Sequence, residues 1–195
     1  SFEGDEQIEM IAKKLDLGNE DVLNTSVNIA RDVPGEFSIN QVGAIYNTLV
    51  DGLSYLSDPS FEESYKSASL ALEDGIRAGT IGAGDCDDFA ILIASLIESL
   101  GGSTRIILAY DEETSQGHAY AELYLGQKGD PQLENLTKWI REEYGVSPII
   151  GLSYDGEDTW LNLDYNSSYI GGPFFGGERV NRKIVWTTGN KTEPK

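Results

Sequence analysis

The sequence predicts an α+β fold in which helices come first and an antiparallel sheet follows. Apolar residues recur at helical spacing through roughly the first hundred residues, and from Thr104 onward short runs of alternating apolar and polar residues replace them. Helices followed by strands, rather than alternating with them, are typical of domains whose strands pair antiparallel. We therefore expect a single domain over residues 1–187, helical to residue 102 and sheet-forming from residue 103, and a polar tail over residues 188–195.

Four helices are predicted ahead of the sheet from amphipathic spacing with a start or stop signal, over residues 5–17, 38–53, 60–72 and 85–100. The last of them begins after the capping residue Asp85 and ends at Gly101. It is apolar on nearly every side, so we expect it to lie at the centre of the domain. The glycine-rich stretch before it, 75–84, is predicted to be a turn.

Five strands are predicted in the second half, over residues 104–110, 118–125, 149–154, 159–165 and 183–187. A polar turn joins the first two as a hairpin, and an amphipathic helix over 133–144 follows the second. Alternation within the second strand places His118 on the same face as Tyr120, Glu122 and Tyr124.

Composition excludes several classes of protein and site. The chain has 14 Lys and Arg against 33 Asp and Glu, a net charge of −19, which opposes binding to nucleic acids and to anionic membrane surfaces. One cysteine and one histidine exclude an internal disulfide, a four-ligand structural zinc site and a two-histidine catalytic zinc site. Because no run of about 18 apolar residues occurs, we expect no membrane insertion within this chain. Four glycosylation sequons, at Asn24, Asn135, Asn166 and Asn190, favour an extracellular or cell-surface location over a cytoplasmic one.

Cys86 is the first candidate for chemistry, because it lies in the first turn of the central helix. Unpaired N–H groups and the helix dipole stabilise a thiolate there and lower its pKa. The carboxylates of Asp85, Asp87 and Asp88 would raise that pKa if they faced the sulfur. Neighbours on a helix point in different directions, so we expect Asp87 and Asp88 to serve the cap and the dipole instead. Two alternatives stay open: Cys86 as a buried core residue, and a calcium site built from the three aspartates.

A cysteine nucleophile needs a base, and His118 is the only histidine in the chain. Asp164 is the candidate for the carboxylate that orients the imidazole, since alternation places it on one face of its strand with Trp160 and Asn162. An acid at a strand end among apolar neighbours needs a partner. The predicted catalytic residues are therefore Cys86, His118 and Asp164, with no metal and no organic cofactor.

Three sequence blocks in order resemble the core of the transglutaminase-like superfamily: 84–90 (GDCDDFA), 118–122 (HAYAE) and 160–164 (WLNLD). The resemblance extends over roughly residues 39–165. It implies a papain-like α+β fold, with the cysteine helix packed on an antiparallel sheet, and a Cys86–His118–Asp164 triad that performs thiol acyl transfer on a protein or peptide substrate. It also implies an oxyanion site formed by the nucleophile's backbone N–H and an upstream side chain, for which Tyr55 is the candidate.

The residue after the nucleophile distinguishes branches of this superfamily. Animal crosslinking enzymes have Trp there, whereas this chain has Asp87 and is similar to microbial and archaeal members, which implies hydrolysis of peptide bonds. Protein-glutamine acyl transfer, as crosslinking or deamidation, and a non-catalytic module that binds peptide or glycan remain the alternatives. The segment 171–177, which carries Phe174 and Phe175, is interpreted either as a flap over the substrate or as a turn that packs both rings into the core.

Overall fold

The computed structural model describes residues 2–56, 65–177 and 180–187, with side chains from residue 6 onward. Its described part holds six α-helices, a five-stranded antiparallel sheet and a short two-stranded parallel sheet. The predicted α+β class is therefore confirmed. The predicted polar tail, 188–195, lies outside the described residues, and the extent of the single domain stays a prediction. In the part of the chain that is described, no helix combines the length and apolar character needed to cross a membrane.

The helices are α1 (Phe2–Lys13), α2 (Glu20–Ala30), α3 (Ile39–Gly52), α4 (Ala68–Ala78), α5 (Cys86–Ser99) and α6 (Pro131–Tyr144). Two predicted start signals are present as capping boxes, Ser38 with Gln41 ahead of α3 and Asp85 with Asp88 ahead of α5. The inserted helix, α6, ends at Gly145 in the left-handed conformation that favours glycine.

Three helices differ from the prediction. Helix α1 begins at Phe2 and ends at Lys13, four residues before its predicted end, and Asp16 beyond it adopts the left-handed conformation.

Helix α2 was not predicted, although its start signal is present in the sequence: the Asn19 side chain caps the first turn, which carries Glu20 and Asp21, and the buried face that follows includes Val22. Helix α4 begins at Ala68, capped by the Ser67 side chain, and continues into the stretch predicted to be a turn. The predicted start signal at Ser60 lies outside the described residues.

The strands are β1 (Leu53–Tyr55), β2 (Gly82–Gly84), β3 (Thr104–Asp111), β4 (Gln116–Gln127), β5 (Leu152–Asp155), β6 (Asp158–Asn162) and β7 (Asn181–Trp186). The large sheet has the order β5-β6-β4-β3-β7, and all its pairs are antiparallel. The predicted hairpin is confirmed as β3–β4, which pairs Ala109 with His118.

Helix α5 is central, as predicted, because every residue from Asp88 to Ile97 is buried. It packs on the face of β4 that carries Ala119, Ala121 and Leu123. This contact brings the strand that begins near His118 against the helix that begins at Cys86.

The parallel pair β1–β2 aligns the start of α5. Strand β2 was predicted to be part of a turn, but it pairs with β1 so that Tyr55 lies opposite Gly84, two residues before Cys86. Helix α4 crosses β2 with its backbone almost in contact, since a Cβ atom on Gly75 would lie 2.3 Å from the Cα of Gly82. Only residues without side chains permit that approach.

Candidate active site

Cys86 occupies the first turn of α5, and its side chain is half-buried. The backbone N–H groups of Ala119, the residue after His118, and of Asp87 lower the pKa of the Cys86 thiol. The sulfur therefore lies against the strand that carries the candidate base. Its other near neighbour is the Asp87 carboxylate, with Oδ1 3.9 Å from Sγ.

The resting thiol of Cys86 is less acidic than its helix position alone predicts. Burial is the largest influence and, together with the charges of Asp87 and Asp85, raises the pKa of the Cys86 thiol to about 12, although the backbone N–H groups of Ala119 and Asp87 lower it. Formation of the thiolate therefore needs a proton acceptor or a positive charge close to the sulfur.

Only one of the two aspartates after Cys86 serves the cap. The Asp88 side chain bonds back to the Asp85 N–H across the capping box, as predicted. The expectation that Asp87 faces away from the sulfur was wrong, because its short, half-buried side chain folds back beside Sγ. Burial, and then the neighbouring Asp85 carboxylate, raise the pKa of Asp87 to about 8.

His118 and Asp164 are in direct contact. His118 Nε2 lies 2.8 Å from Asp164 Oδ2, and the residues are only 8% and 2% exposed. A buried carboxylate at this distance fixes the ring orientation and leaves Nδ1 for a second partner. This contact is the arrangement the sequence predicts for the second and third members of the triad.

Asp164 is held on every side by hydrogen bonds. Its backbone carbonyl accepts from the Tyr46 hydroxyl of α3 at 2.8 Å, and its backbone N–H donates to Asn162 Oδ1. Its second carboxylate oxygen, Oδ1, accepts the N–H of Asn166. Strand β6 ends at Asn162, earlier than predicted, because Asp164 caps the single 3-10 turn Tyr165–Ser167.

Tyr165 is a site residue that the sequence analysis missed. Its ring centroid lies 4.9 Å from Phe89 of α5, 6.0 Å from His118 and 6.3 Å from Tyr55. The available signal was its position directly after Asp164. Burial raises the pKa of its hydroxyl above the ordinary value, and the neighbouring Tyr55 and Cys86 raise it further. Tyr55 itself is 55% exposed, so these two tyrosines form a partly open wall beside the nucleophile.

The segment 171–177 packs as a turn, the second of its two interpretations. Phe174 contacts Tyr120 and lies under the Arg182 guanidinium, and Phe175 lies 5.0 Å from the His118 ring, centroid to centroid. Arg182 donates to the Tyr120 hydroxyl at 3.0 Å and to the Gly177 carbonyl at 2.7 Å. The turn therefore shields one side of the His118 ring.

A family model described as the transglutaminase-like superfamily matches residues 26–149. The chain belongs to the transglutaminase-like superfamily. The match includes Cys86 and His118 and ends before Asp164, whose contact with His118 is shown by the structure. A comparison with curated proteins finds no match.

Solved structures with a similar fold include LapG from Legionella pneumophila. Its calcium-bound form is 16% identical, covers 93% of this chain and 86% of LapG, and has a TM-score of 0.53; the EGTA-treated form gives 17%, the same coverage and 0.50. A Cytophaga hutchinsonii protein described as a proposed cysteine protease is 20% identical over 60% of this chain, with a TM-score of 0.43. The chain spans 38% of that protein's length. At identities this low, the likeness to LapG shows the fold alone. That fold is papain-like, as predicted.

The acidic groups around Cys86 form only part of a cation site in this member of the superfamily. Ligand atoms of Asp85, Cys86 and Asp87 lie within 4.8 Å of one another, and Asp85 Oδ1 is buried without a hydrogen-bond partner among the described residues. Calcium takes six to eight oxygen ligands, and a thiol is not one of them. Asp88, the third aspartate of the calcium alternative, is bonded to the cap and to Lys66 instead. Among the described residues this group offers fewer oxygen ligands than a complete calcium site, and both the calcium alternative and the absence of a metal stay predictions.

An open concavity of about 700 Å³ lies elsewhere on this transglutaminase-like domain. Its lining comes from the end of β4 and the turn into α6, residues 124–130 and 132. Tyr124 is six residues from His118 on the same strand, which is about 20 Å at about 3.3 Å per residue. The concavity is therefore separate from the candidate active site.

Proposed function

We propose that this chain is a cysteine hydrolase that cleaves amide bonds in protein or peptide substrates with Cys86, His118 and Asp164. The observation that carries the proposal is the buried 2.8 Å contact between His118 and Asp164, next to a helix that begins with the chain's only cysteine. Membership of the transglutaminase-like superfamily supports thiol acyl transfer as the reaction class.

In the first half of the reaction, His118 Nδ1 takes the proton from Cys86 Sγ as the sulfur attacks the amide carbonyl carbon. The negative charge that forms on the carbonyl oxygen is stabilised by the backbone N–H of Cys86 and by the Tyr55 hydroxyl. His118 then returns its proton to the leaving amine, the C–N bond breaks, and a thioester on Cys86 remains.

In the second half, His118 removes a proton from water, and the hydroxide oxygen attacks the thioester carbon. The C–S bond breaks, the carboxylic acid leaves, and Cys86 regains its proton from His118. Asp164 holds the His118 ring throughout and stabilises the imidazolium that each proton transfer produces.

Proton acceptance by His118 also overcomes the high pKa of the resting thiol. Burial above all keeps Cys86 neutral before the substrate binds, and the Asp87 and Asp85 carboxylates add to this effect where they are charged. The imidazolium that forms beside the sulfur supplies the positive charge that a thiolate needs there.

To test whether His118 acts as the base for Cys86, Cys86 is alkylated by iodoacetamide between pH 5 and pH 10, and the product is measured by intact-mass spectrometry. Because Cys86 is the only cysteine, each added mass reports that residue alone. At pH 7 we expect His118→Ala to slow alkylation by about a hundredfold, the lower range for loss of a general base, and Asp164→Asn to slow it less. A pH profile with an ordinary free-thiol midpoint that His118→Ala does not change would overturn the proposal.

Reaction with a peptide library separates hydrolysis from the two alternatives. New amino termini that form with the wild type and not with Cys86→Ala support hydrolysis. Incorporation of a labelled amine in place of water identifies an acyltransferase. Binding of peptide or glycan that Cys86→Ala leaves unchanged, without any product, identifies a non-catalytic module.

A further inference from the structure

Lys66 forms a junction between three elements beside the candidate nucleophile. Its ammonium lies 3.8 Å from Asp88 Oδ2 on α5 and 3.4 Å from Asp74 Oδ2 on α4, and it donates to the Ala83 carbonyl of β2 at 3.4 Å. The Lys66 side chain is 19% exposed. An ammonium that is partly buried and has three partners is held in one position. The exposed ion pairs on the helix surfaces contribute little to stability by comparison.

Asp88 is the partner of Lys66 that reaches the first turn of α5. Its side chain is 1% exposed, and Oδ1 accepts the backbone N–H of Lys66 at 2.7 Å. Oδ2 accepts the N–H of Asp85, the residue before Cys86. Gly84 makes this possible, because a Cβ there would lie 2.4 Å from the Asp88 carboxylate. Asp88 therefore connects Lys66 to the backbone of the residue directly before the nucleophile.

The α4 partner of Lys66, Asp74, also lies close to the start of the nucleophile helix. Asp74 precedes Gly75, the point at which α4 meets β2 with almost no space between the backbones. Strand β2 continues through Gly84 directly into the cap of α5. An ammonium that binds α4, β2 and α5 together therefore acts where the chain enters the nucleophile helix.

We propose that Lys66 is a positioning residue for Cys86: its ammonium fixes the first turn of α5 through Asp88, and so keeps the backbone N–H groups of that turn directed at the sulfur and the substrate oxygen. The inference rests on the proposed function of Cys86. Without the ammonium, Asp88 is a buried carboxylate with no cation beside it, so it takes up a proton or its side chain moves toward water. Either change weakens its bond to the Asp85 N–H and loosens the turn that carries Cys86.

The test compares Lys66→Met, which keeps the aliphatic stem, with Lys66→Arg, which keeps the charge. Lys138→Met is the matched control, because Lys138 lies at the same 3.8 Å from an acidic partner, Glu142, but both side chains are about 70% exposed. Cys86 alkylation by iodoacetamide is measured at pH 7.5 and well below the melting temperature of each variant. His118→Ala is measured in parallel.

We expect Lys66→Met to slow alkylation by about tenfold or more, since small misplacements of a reacting group have effects of this size. Lys66→Arg should restore most of the rate, and Lys138→Met should leave it unchanged. A purely structural role lowers the melting temperature and leaves alkylation unchanged or makes it faster, because a loosened site exposes the thiol. That result would overturn the positioning role.

Two further outcomes are decisive. If the wild type and His118→Ala react equally, the proposed function is wrong and the positioning role with it; if they differ while Lys66→Met matches the wild type, only the positioning role is wrong. Should Lys66→Met not fold, Asp74→Asn removes the α4 partner and keeps the contact with Asp88. A smaller loss of rate then supports the junction, and an unchanged rate contradicts it.

Discussion

The sulfur of Cys86 is subject to opposing influences from its nearest neighbours. Two backbone N–H groups favour the thiolate, whereas burial and the carboxylates of Asp87 and Asp85 favour the neutral thiol. Burial and the two charges are stronger. The resting cysteine is therefore a neutral thiol. Its reactivity depends on His118 and on whether Asp87 carries a charge.

Asp87→Asn should speed Cys86 alkylation, and the gain should grow with pH. An acid with a pKa of about 8 is mostly protonated at pH 6 and mostly charged above pH 9, so the wild-type sulfur faces an extra negative charge only in the higher range. The asparagine never gains that charge. We expect a variant-to-wild-type rate ratio near one at pH 6 and about ten at pH 9, which is one pKa unit of the thiol.

The control for this series is Glu142→Gln, which removes an exposed acid on α6 far from the sulfur in sequence. Rates are measured in EGTA and again with calcium. A ratio that stays constant between pH 6 and pH 9 would contradict the role assigned to the Asp87 charge. A ratio that calcium abolishes would instead show that a cation binds to the acidic group.

Among the elements, the α4–β2 crossing sets the entry to the nucleophile helix. Gly75 lies against Gly82 with no room for a side chain, and β2 is only three residues long. A backbone-to-backbone contact cannot adjust by rotating a side chain. The register of β2 against β1, and with it the place of Tyr55 beside Gly84, depends on this contact.

Gly75→Ala should therefore destabilise the protein although alanine is the better helix former. Helix propensity favours the variant by about 1 kcal/mol. The new Cβ would lie 2.3 Å from backbone atoms of Gly82, and we expect a net loss of about 1–3 kcal/mol in the free energy of unfolding by urea. Gly117→Ala is the control, since its Cβ would meet its nearest atom only at 4.0 Å. A Gly75→Ala variant as stable as the wild type would show that α4 can move away from β2.

On the scale of the whole molecule, net charge is the dominant electrostatic property. With 33 acidic and 14 basic side chains, carboxylates repel one another across the surface. The few exposed ion pairs, such as Lys138 with Glu142, contribute little against this repulsion. Compaction brings the charges closer together, so repulsion favours the unfolded chain.

Added salt should stabilise the folded protein. Between 20 mM and 500 mM NaCl the screening length falls from roughly 20 Å to about 4 Å, and we expect the melting temperature at pH 7.5 to rise by a few degrees. At pH 5, nearer the isoelectric point of about 4.2, the rise should be smaller because fewer carboxylates are charged. A melting temperature that falls with salt at pH 7.5 would mean that attractive pairs outweigh the repulsion.

Local signals in the sequence determined the fold class and the candidate residues. The cap at Asp85, the apolar run after it and the alternation of β4 are properties of neighbouring residues, so they predicted the central helix and the hairpin. With one cysteine and one histidine, Cys86 and His118 were the only available nucleophile and base of their kind. Family membership is likewise a property of ordered sequence blocks.

Only the tertiary structure decided which distant groups meet. The β1–β2 pair is stabilised by contacts across the chain, and its strands of three residues each are too short to give a local pattern. The wall formed by Tyr165 and Tyr55 and the Lys66 junction depend on side chains that converge from separate elements. Periodicity assigns a residue to a face, but distance and desolvation set its pKa and partners, and these arise only when the elements pack. The acidity of Cys86 was therefore mispredicted from its helix position and is set by the packed environment of its sulfur.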